Sequence, residues 1–133
     1  MHCTPEDRTA TFQGNDLALV SATAAMNIYW QCSTFARGIQ EMGEAMRSRL
    51  ETIASLSGNG FAVRGRGMAW GFDCRLAHIA EETTRKAFYN GLLIEQCRRQ
   101  DQVAKFLPAL TIDLATLDEG FEIFHDSLAE TLK

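Results

Sequence analysis

Four stretches of the chain carry patterns that predict helices. Residues 17–30 are almost all apolar or small, which predicts a helix that other elements cover on most of its faces. In residues 35–56 and 114–132, apolar side chains recur every three or four positions, as on one face of an amphipathic helix. Residues 76–90 predict a third helix in chain order, which the glycine at position 91 ends.

Alternating and continuous apolar runs predict strands between these helices. Apolar and small or polar residues alternate over residues 61–64 and 68–73, the period of two that is typical of strands. Residues 92–94 predict a short buried strand, and residues 103–110 predict an extended segment that Pro108 bends or ends. The order of helices and strands predicts an α/β (α+β) fold, a small sheet with helices packed on it.

The domain organisation predicted from this order is a single domain over residues 1–133. Its parts are an irregular leading segment (1–14), a long interrupted helix (15–56) and a sheet-and-helix small domain (61–133). A turn at residues 14–16 supplies the start signal of the first helix. The N-terminus of the last helix has two candidate caps, either Asp113 or the Thr116–Glu119 capping box.

Composition and charge exclude several classes of protein. A content of 46% hydrophobic and 23% charged residues is typical of one soluble globular domain. Thirteen basic against seventeen acidic residues leave a net charge of -4, so no nucleic-acid partner is expected. No apolar run reaches the roughly 20 residues that a membrane span needs. Four cysteines without a C-x-x-C pair, and no signal-peptide pattern, predict reduced thiols in the cytoplasm.

The segment Arg64-Gly65-Arg66-Gly67 is a candidate anion-binding site. On a strand both arginines project from one face, and guanidinium groups suit bidentate carboxylates or phosphates. The other interpretation is two solvated arginines beside a glycine-rich bend. No two histidines have metal-ligand spacing, so we expect no metal site, and we identify no catalytic residue.

Lys105 is the most informative of the three lysines, Lys86, Lys105 and Lys133. It alternates with Ala104 and Phe106 in a mostly apolar extended run. A cation in such a position is either an edge-strand residue whose ammonium reaches water or the counter-ion of an anionic ligand. The spacing leaves both interpretations open.

Three segments, taken in order, resemble class III pyridoxal-phosphate aminotransferases. Residues 9–18, TATFQGNDLA, are similar to the family's T-F-x-G-N-x-L-A segment, and residues 64–73, RGRGMAWGFD, to its R-G-x-G-M-x-W-G strand pair. Residues 103–112, VAKFLPALTI, resemble the segment that contacts the cosubstrate carboxylate. The lysine in that segment and the Leu-Ile-Glu run at 93–95 favour the diaminobutyrate–2-oxoglutarate branch, of the ectoine-pathway type.

The resemblance runs from about residue 9 to residue 132, with two departures. Ala109 stands where a second proline is usual, and residues 95–99, EQCRR, replace a turn richer in threonine, serine and glycine.

This resemblance implies a fold and a set of roles. The chain would form the C-terminal small domain of a fold type I transferase with pyridoxal 5'-phosphate as cofactor. Thr11 would contact the cofactor phosphate of the neighbouring subunit in a dimer, and Lys105 would face the substrate carboxylate. The intact enzyme would transfer an amino group between L-2,4-diaminobutyrate and 2-oxoglutarate or glutamate.

The family's cofactor-binding lysine lies upstream of the T-F-x-G-N segment, so we expect this chain to be a fragment. It would be inactive alone, and its partner would be the missing large domain or a second subunit. Two alternatives remain: a non-catalytic interaction or structural module, and a fragment of an ornithine- or 4-aminobutyrate-type class III transaminase.

Overall fold

The computed structural model describes residues 14–97 and 101–133 of the chain. The elements in these ranges, in chain order, are α1 (Asp16–Tyr29), α2 (Ser33–Ser57), β1 (Ala62–Arg66), β2 (Ala69–Asp73), α3 (Ala77–Tyr89), β3 (Glu95–Cys97), β4 (Val103–Phe106) and α4 (Leu114–Thr131). The chain divides into two compact units, Met1–Ala36 and Arg37–Lys133. The predicted order of helices and strands is confirmed, and so is the small sheet with helices packed on it.

The four strands form one antiparallel sheet in the order β1-β2-β4-β3. Strand β4 therefore lies inside the sheet, between β2 and the short β3. In the register, Gly71 of β2 lies opposite Arg64 of β1 on one side and opposite Lys105 of β4 on the other. Glu95 of β3 lies opposite Lys105 from the far side.

One face of the sheet carries the aromatic core. Phe72 and Phe106 project from this face toward α4, where each ring meets Phe124 edge-on, with ring centroids 5.1 and 4.9 Å apart. Met46 and Leu50 of α2 are fully buried in the same cluster. Buried aromatic pairs of this geometry contribute beyond the area that they remove from water. The core thus fixes the sheet against the helices and leaves the other face available.

Helix α2 passes close to the turn between β1 and β2 because a glycine lies at the contact. A Cβ atom on Gly43 would lie 2.5 Å from the carbonyl oxygen of Gly67. Gly67 has a φ of 56°, a conformation that glycine adopts without strain. Its carbonyl also accepts a hydrogen bond of 2.6 Å from the indole of Trp70. The glycines of the R-G-R-G-M segment therefore shape this turn.

The predicted strand at residues 92–94 is wrong, and strand β3 begins only at Glu95. Helix α3 ends in a Schellman motif, in which the Leu92 amide donates to the Ala87 carbonyl at 2.8 Å and Gly91 takes a φ of 95°. Leu92 and Ile94 then pack against the core, whereas Leu93 is 79% exposed. The run is apolar because of this packing beside the helix end, and not because of strand pairing.

Of the two caps open for the last helix, Asp113 is the one in use. Its carboxylate accepts hydrogen bonds of 2.9 Å from the backbone N–H and from the hydroxyl of Thr116. These bonds hold the pKa of Asp113 below its ordinary value, with the backbone contact as the larger cause. The N-terminus of α4 is thereby fixed beside the sheet.

In the first compact unit, α1 begins after Asn15, whose side chain accepts the Ala18 N–H at 3.2 Å. None of the residues of α1 is buried. At the end of the helix, Tyr29 and the C-cap residue Trp30 contact Phe35, with ring centroids 4.9 and 5.4 Å from that of Phe35. Within the described ranges, no helix is long and apolar enough to cross a membrane.

Candidate functional site

Four residues, one from each strand, form a row across the face of the sheet that lies opposite the aromatic core. The register places Arg64, Gly71, Lys105 and Glu95 side by side, one from each strand. Residues at matching positions of neighbouring strands project to the same side, and neighbouring strands lie about 4.8 Å apart. We call these four residues the charged row; it contains two cations, one anion and a position without a side chain.

Lys105 lies on an interior strand, so the edge-residue interpretation of this lysine is wrong. The edge is β3, which was not recognised at residues 95–97 because the apolar run just before it looked more like a strand. The Lys105 ammonium forms an ion pair with the Glu95 carboxylate. The lysine side chain is 38% exposed and the glutamate side chain 69%. Lys105 is thus half-buried, and its ammonium group is accessible from the sheet face.

The ion pair shifts the pKa values of Glu95 and Lys105 in the directions that favour their charged forms. The hydrogen bond from Lys105, together with its charge, lowers the pKa of Glu95. The same hydrogen bond and the charge of Glu95 raise the pKa of Lys105. Both groups are therefore charged throughout the neutral range, and a protonated lysine is not an amine nucleophile.

Two clefts meet at Lys105. The first, of about 360 Å³, is mostly apolar and lies between the end of β4 and the start of α4, and its lining includes Ile94, Glu95, Phe106 and Leu117. The second, of about 260 Å³, lies on the sheet face and includes Arg64, Gly71, Asp73 and Lys105. Lys105 lines both clefts. A ligand in either cleft would meet its ammonium group.

Position 71, between Arg64 and Lys105, is a glycine because the Val103 side chain takes up the space next to its Cα. A Cβ atom there would lie 2.9 Å from Cγ1 of Val103, closer than side chains tolerate. Arg64 and Lys105 therefore face each other across a position with no side chain.

Asp73, although it lines the second cleft, has a structural role. It is 5% exposed, and its carboxylate accepts the backbone N–H of Arg75 at 2.9 Å and the side-chain amide of Gln102 at 3.3 Å. Arg75 has a φ of 64°, and its guanidinium donates to the Gly60 carbonyl at 2.7 Å. These bonds compensate the strained backbone that follows β2.

The structure brings together some of the residues that the sequence singled out. Arg64 and Lys105 share the sheet face and the second cleft, which the sequence treated as two separate candidates. Lys86 lies on α3, away from both clefts. Thr11 lies outside the described residues, and its predicted phosphate contact stays a prediction.

Sequence reasoning did not identify Glu95 as a member of the site. The residue was noted only as part of the Leu-Ile-Glu run and of a departure from the family's turn. Its partner stands ten positions later in the chain, and the register of the β3–β4 hairpin alone brings them together. The sequence offered one signal for this pair: Glu95 and Lys105 carry opposite charges and lie close together in the chain, on two neighbouring extended segments.

Chemically, this arrangement is suited to bind a carboxylate. An ammonium and a guanidinium lie on one face and line the second cleft, and both groups pair well with a carboxylate. Within the described ranges, no other lysine lines either of these clefts. This face of the sheet therefore offers positive charge to an anionic ligand.

Comparison with known proteins decides the family. The family model for aminotransferase class III matches residues 1–128. The chain belongs to the class III aminotransferases. Among its relatives, an uncharacterized aminotransferase of Sinorhizobium fredii is 40% identical over 129 residues. Diaminobutyrate–2-oxoglutarate transaminases of Bordetella parapertussis and Halomonas elongata are 39% and 40% identical over 130 and 126 residues.

These class III relatives are much longer than the chain. The match to the Bordetella parapertussis enzyme covers 96% of this chain and 30% of that protein, and the match to the Sinorhizobium fredii protein 96% and 29%. The chain thus spans about a third of the length of the relatives that it matches.

Solved structures agree with the family. A phospholyase from Arthrobacter, in complex with phosphoethanolamine, has a TM-score of 0.68 at 26% identity, covering 85% of this chain and 27% of that chain. A lysine aminotransferase from M. tuberculosis shares the fold, with a TM-score of 0.66 at 18% identity over 86% of this chain and 24% of that one. The fold, a small sheet with helices packed on it, is therefore shared with a part of these larger enzymes.

Proposed function

We propose that the chain is the C-terminal part of a transaminase that transfers an amino group between L-2,4-diaminobutyrate and 2-oxoglutarate or glutamate. The named relatives at 33–40% identity support this substrate pair. One structural observation carries the proposal: Lys105 lies on an interior strand, at the meeting point of two clefts, with its ammonium on the accessible sheet face. In this role Lys105 binds a carboxylate of the substrate and orients it.

The cofactor proposed for the intact enzyme is pyridoxal 5'-phosphate, which supplies the electron sink of transamination when bound. The described residues fit its binding only in part. At the start of α1, Asn15 already occupies the Ala18 N–H and Asp16 adds a negative charge, which disfavours a phosphate there. The described part of the chain thus serves the substrate side of the reaction.

For the phosphate, we propose Thr11, which would contact the cofactor of the neighbouring subunit in a dimer. The remaining cofactor contacts would come from the longer protein, of which the relatives contain about 70% beyond this match. The proposed compartment is the cytoplasm, where the thiols of Cys32, Cys74 and Cys97, unpaired in the structure, would stay reduced.

The test replaces Lys105 in a hybrid enzyme, in which this chain takes the place of the matching C-terminal part of the Halomonas elongata transaminase. Lys105→Ala should raise the KM for 2-oxoglutarate roughly tenfold or more, because a charged contact to a carboxylate is lost. The kcat at saturating substrate should change less. Steady-state kinetics with diaminobutyrate as amino donor measure both constants.

Lys86→Ala is the matched control, since it removes the same charge from α3, away from both clefts. Its KM for 2-oxoglutarate should equal that of the unsubstituted hybrid. Equal constants for the Lys105 and Lys86 variants would remove Lys105 from the binding site. A folded hybrid that lacks all transaminase activity would favour a non-catalytic module, and preference for ornithine or 4-aminobutyrate would favour another class III branch.

A further inference from the structure

Asparagine followed by glycine occurs twice in the chain, at residues 59–60 and 90–91. In such a pair the backbone nitrogen of the glycine can attack the side-chain amide of the asparagine, because glycine has no Cβ that hinders the approach. The two pairs lie in different local structures. We propose that Asn59 is a site of spontaneous deamidation, which converts it to isoaspartate and aspartate in the native chain, and that the end of α3 protects Asn90.

The reaction consumes one water molecule and releases one ammonium ion. The Gly60 nitrogen loses its proton and bonds to Cγ of Asn59, and Nδ2 leaves as ammonia, which then takes up a proton. The product is a five-membered succinimide, in which the nitrogen is bonded to two carbonyl carbons. Water opens the ring by breaking one of these two bonds. If the bond to the backbone carbonyl breaks, isoaspartate forms, and if the bond to Cγ breaks, aspartate forms. Either product carries a negative charge that Asn59 lacks.

The turn after α2 leaves the reacting groups of the first pair accessible. Asn59 and Gly60 are exposed, and a Cβ on Gly60 would meet no atom within 4 Å. Within the described ranges the Gly60 N–H donates no hydrogen bond, and the carbonyl of Gly60 accepts the guanidinium of Arg75 at 2.7 Å. The Asn59 amide donates inside the same turn, to the Ser57 carbonyl at 3.0 Å. These contacts leave the Gly60 nitrogen available for attack.

The second pair is also exposed, but hydrogen bonds hold it at the end of α3. The Gly91 N–H, which would supply the nucleophile, donates to the Phe88 carbonyl at 3.0 Å. The Asn90 side chain donates to the hydroxyl of Ser127 on α4 at 3.4 Å. Leu92 closes the Schellman motif and packs against the core. The helix end must therefore open before Asn90 reacts, and such local opening costs free energy.

Isoaspartate at position 59 would lengthen the main chain between α2 and β1 by one carbon. Strand β1 lies at the edge of the sheet, and its pairing begins with Ala62 opposite Asp73. Just before the strand, the ring of Phe61 lies 5.3 Å from that of Phe72. The extra carbon should disturb this aromatic contact and lower the midpoint of thermal unfolding. An Asn59→Asp chain has the charge without the extra carbon, and its midpoint should stay close to that of the unsubstituted chain.

The test incubates the 133-residue chain in mildly alkaline buffer made with ¹⁸O-labelled water. Peptide mass spectrometry measures the conversion at each asparagine, and the ¹⁸O label separates new products from aspartate present at the start. Electron-transfer fragmentation separates isoaspartate from aspartate. In the native chain Asn59 should react at least about tenfold faster than Asn90, because Asn90 reacts only when the helix end opens. In guanidinium chloride, where both pairs are unfolded, the two rates should converge.

Asn59→Gln is the matched control, since it keeps an amide but requires a larger ring for the same attack. This variant should keep its amide and its unfolding midpoint during the incubation. Equal native rates at Asn59 and Asn90, or a faster reaction at Asn90, would overturn the proposal. So would an Asn59 that stays intact in the native chain while it reacts in guanidinium chloride, because the turn would then protect it. An unchanged midpoint after conversion to isoaspartate would overturn the effect on β1.

Discussion

At the scale of residues, the surroundings of Cys74 and Cys32 shift the pKa values of their thiols in opposite directions. Cys74 is fully buried, and burial, with the charge of Asp73 as a second cause, raises the pKa of its thiol to about 12. Cys32 is exposed, and hydrogen bonds from Thr34 lower its pKa. Since the thiolate is the reactive form, the two residues should differ in rate toward alkylating agents.

We expect iodoacetamide at pH 7.5 to modify Cys32 in the native chain and to leave Cys74 intact. Peptide mass spectrometry after timed quenching measures each site separately. In urea, where both thiols are exposed, the rates should converge. Modification of Cys74 in the native chain as fast as Cys32 would contradict the buried position.

The chemistry of single residues could be predicted only in part from the sequence. Lys105 was recognisable because a cation interrupts an apolar alternation between Ala104 and Phe106. Its interior position was not, because that depends on which strand pairs on its far side. Glu95 became part of the site only through the hairpin register, a long-range property that neither its type nor its neighbours specify.

At the scale of elements, helix α2 contains two glycines, one at a close backbone contact and one in open space, so each serves as the control for the other. Gly43 touches the Gly67 backbone, whereas a Cβ on Gly38 would meet no atom within 4 Å. Gly43→Ala should lower the free energy of unfolding by about 1–3 kcal/mol, because the helix must move away from the turn. Gly38→Ala should raise it by roughly 0.5–1 kcal/mol through helix propensity alone.

Urea denaturation followed by circular dichroism measures both free energies. Equal and stabilising effects of the two substitutions would show that α2 does not pack closely against the turn between β1 and β2.

The helices were more predictable than the strands. Helical periods extend over many residues, so α2 and α4 are recognisable with their ends close to the observed ones. Strand β3 has three residues and no period of its own. Its existence depends on the segment at residues 103–106 being available to pair, and the apolar residues before it pack against the core without joining the sheet.

At the scale of the whole molecule, α1 is an apolar helix without buried residues. Leu17, Val20 and Ile28 are 81, 68 and 69% exposed, and their spacing places them on one stripe. Exposed apolar stripes of this kind mark surfaces that bind other protein. We expect the purified chain to self-associate, with sedimentation coefficients that rise with concentration.

Val20→Glu combined with Ile28→Glu should shift the chain toward monomer in sedimentation velocity. Ser48→Glu combined with Ala129→Glu adds the same charge at exposed positions outside α1 and should leave association unchanged. A concentration-independent monomer of the unsubstituted chain would exclude this role of the stripe.

The two tryptophans of the chain fall one in each compact unit, and their settings are opposite. Trp30 is 44% exposed in the first unit, whereas Trp70 is 8% exposed in the second, with its indole N–H bound to a carbonyl. Indole emission responds to the polarity around the ring. The chain therefore carries a long-wavelength and a short-wavelength fluorophore, and acrylamide quenching can follow the melting of each unit separately without any attached dye.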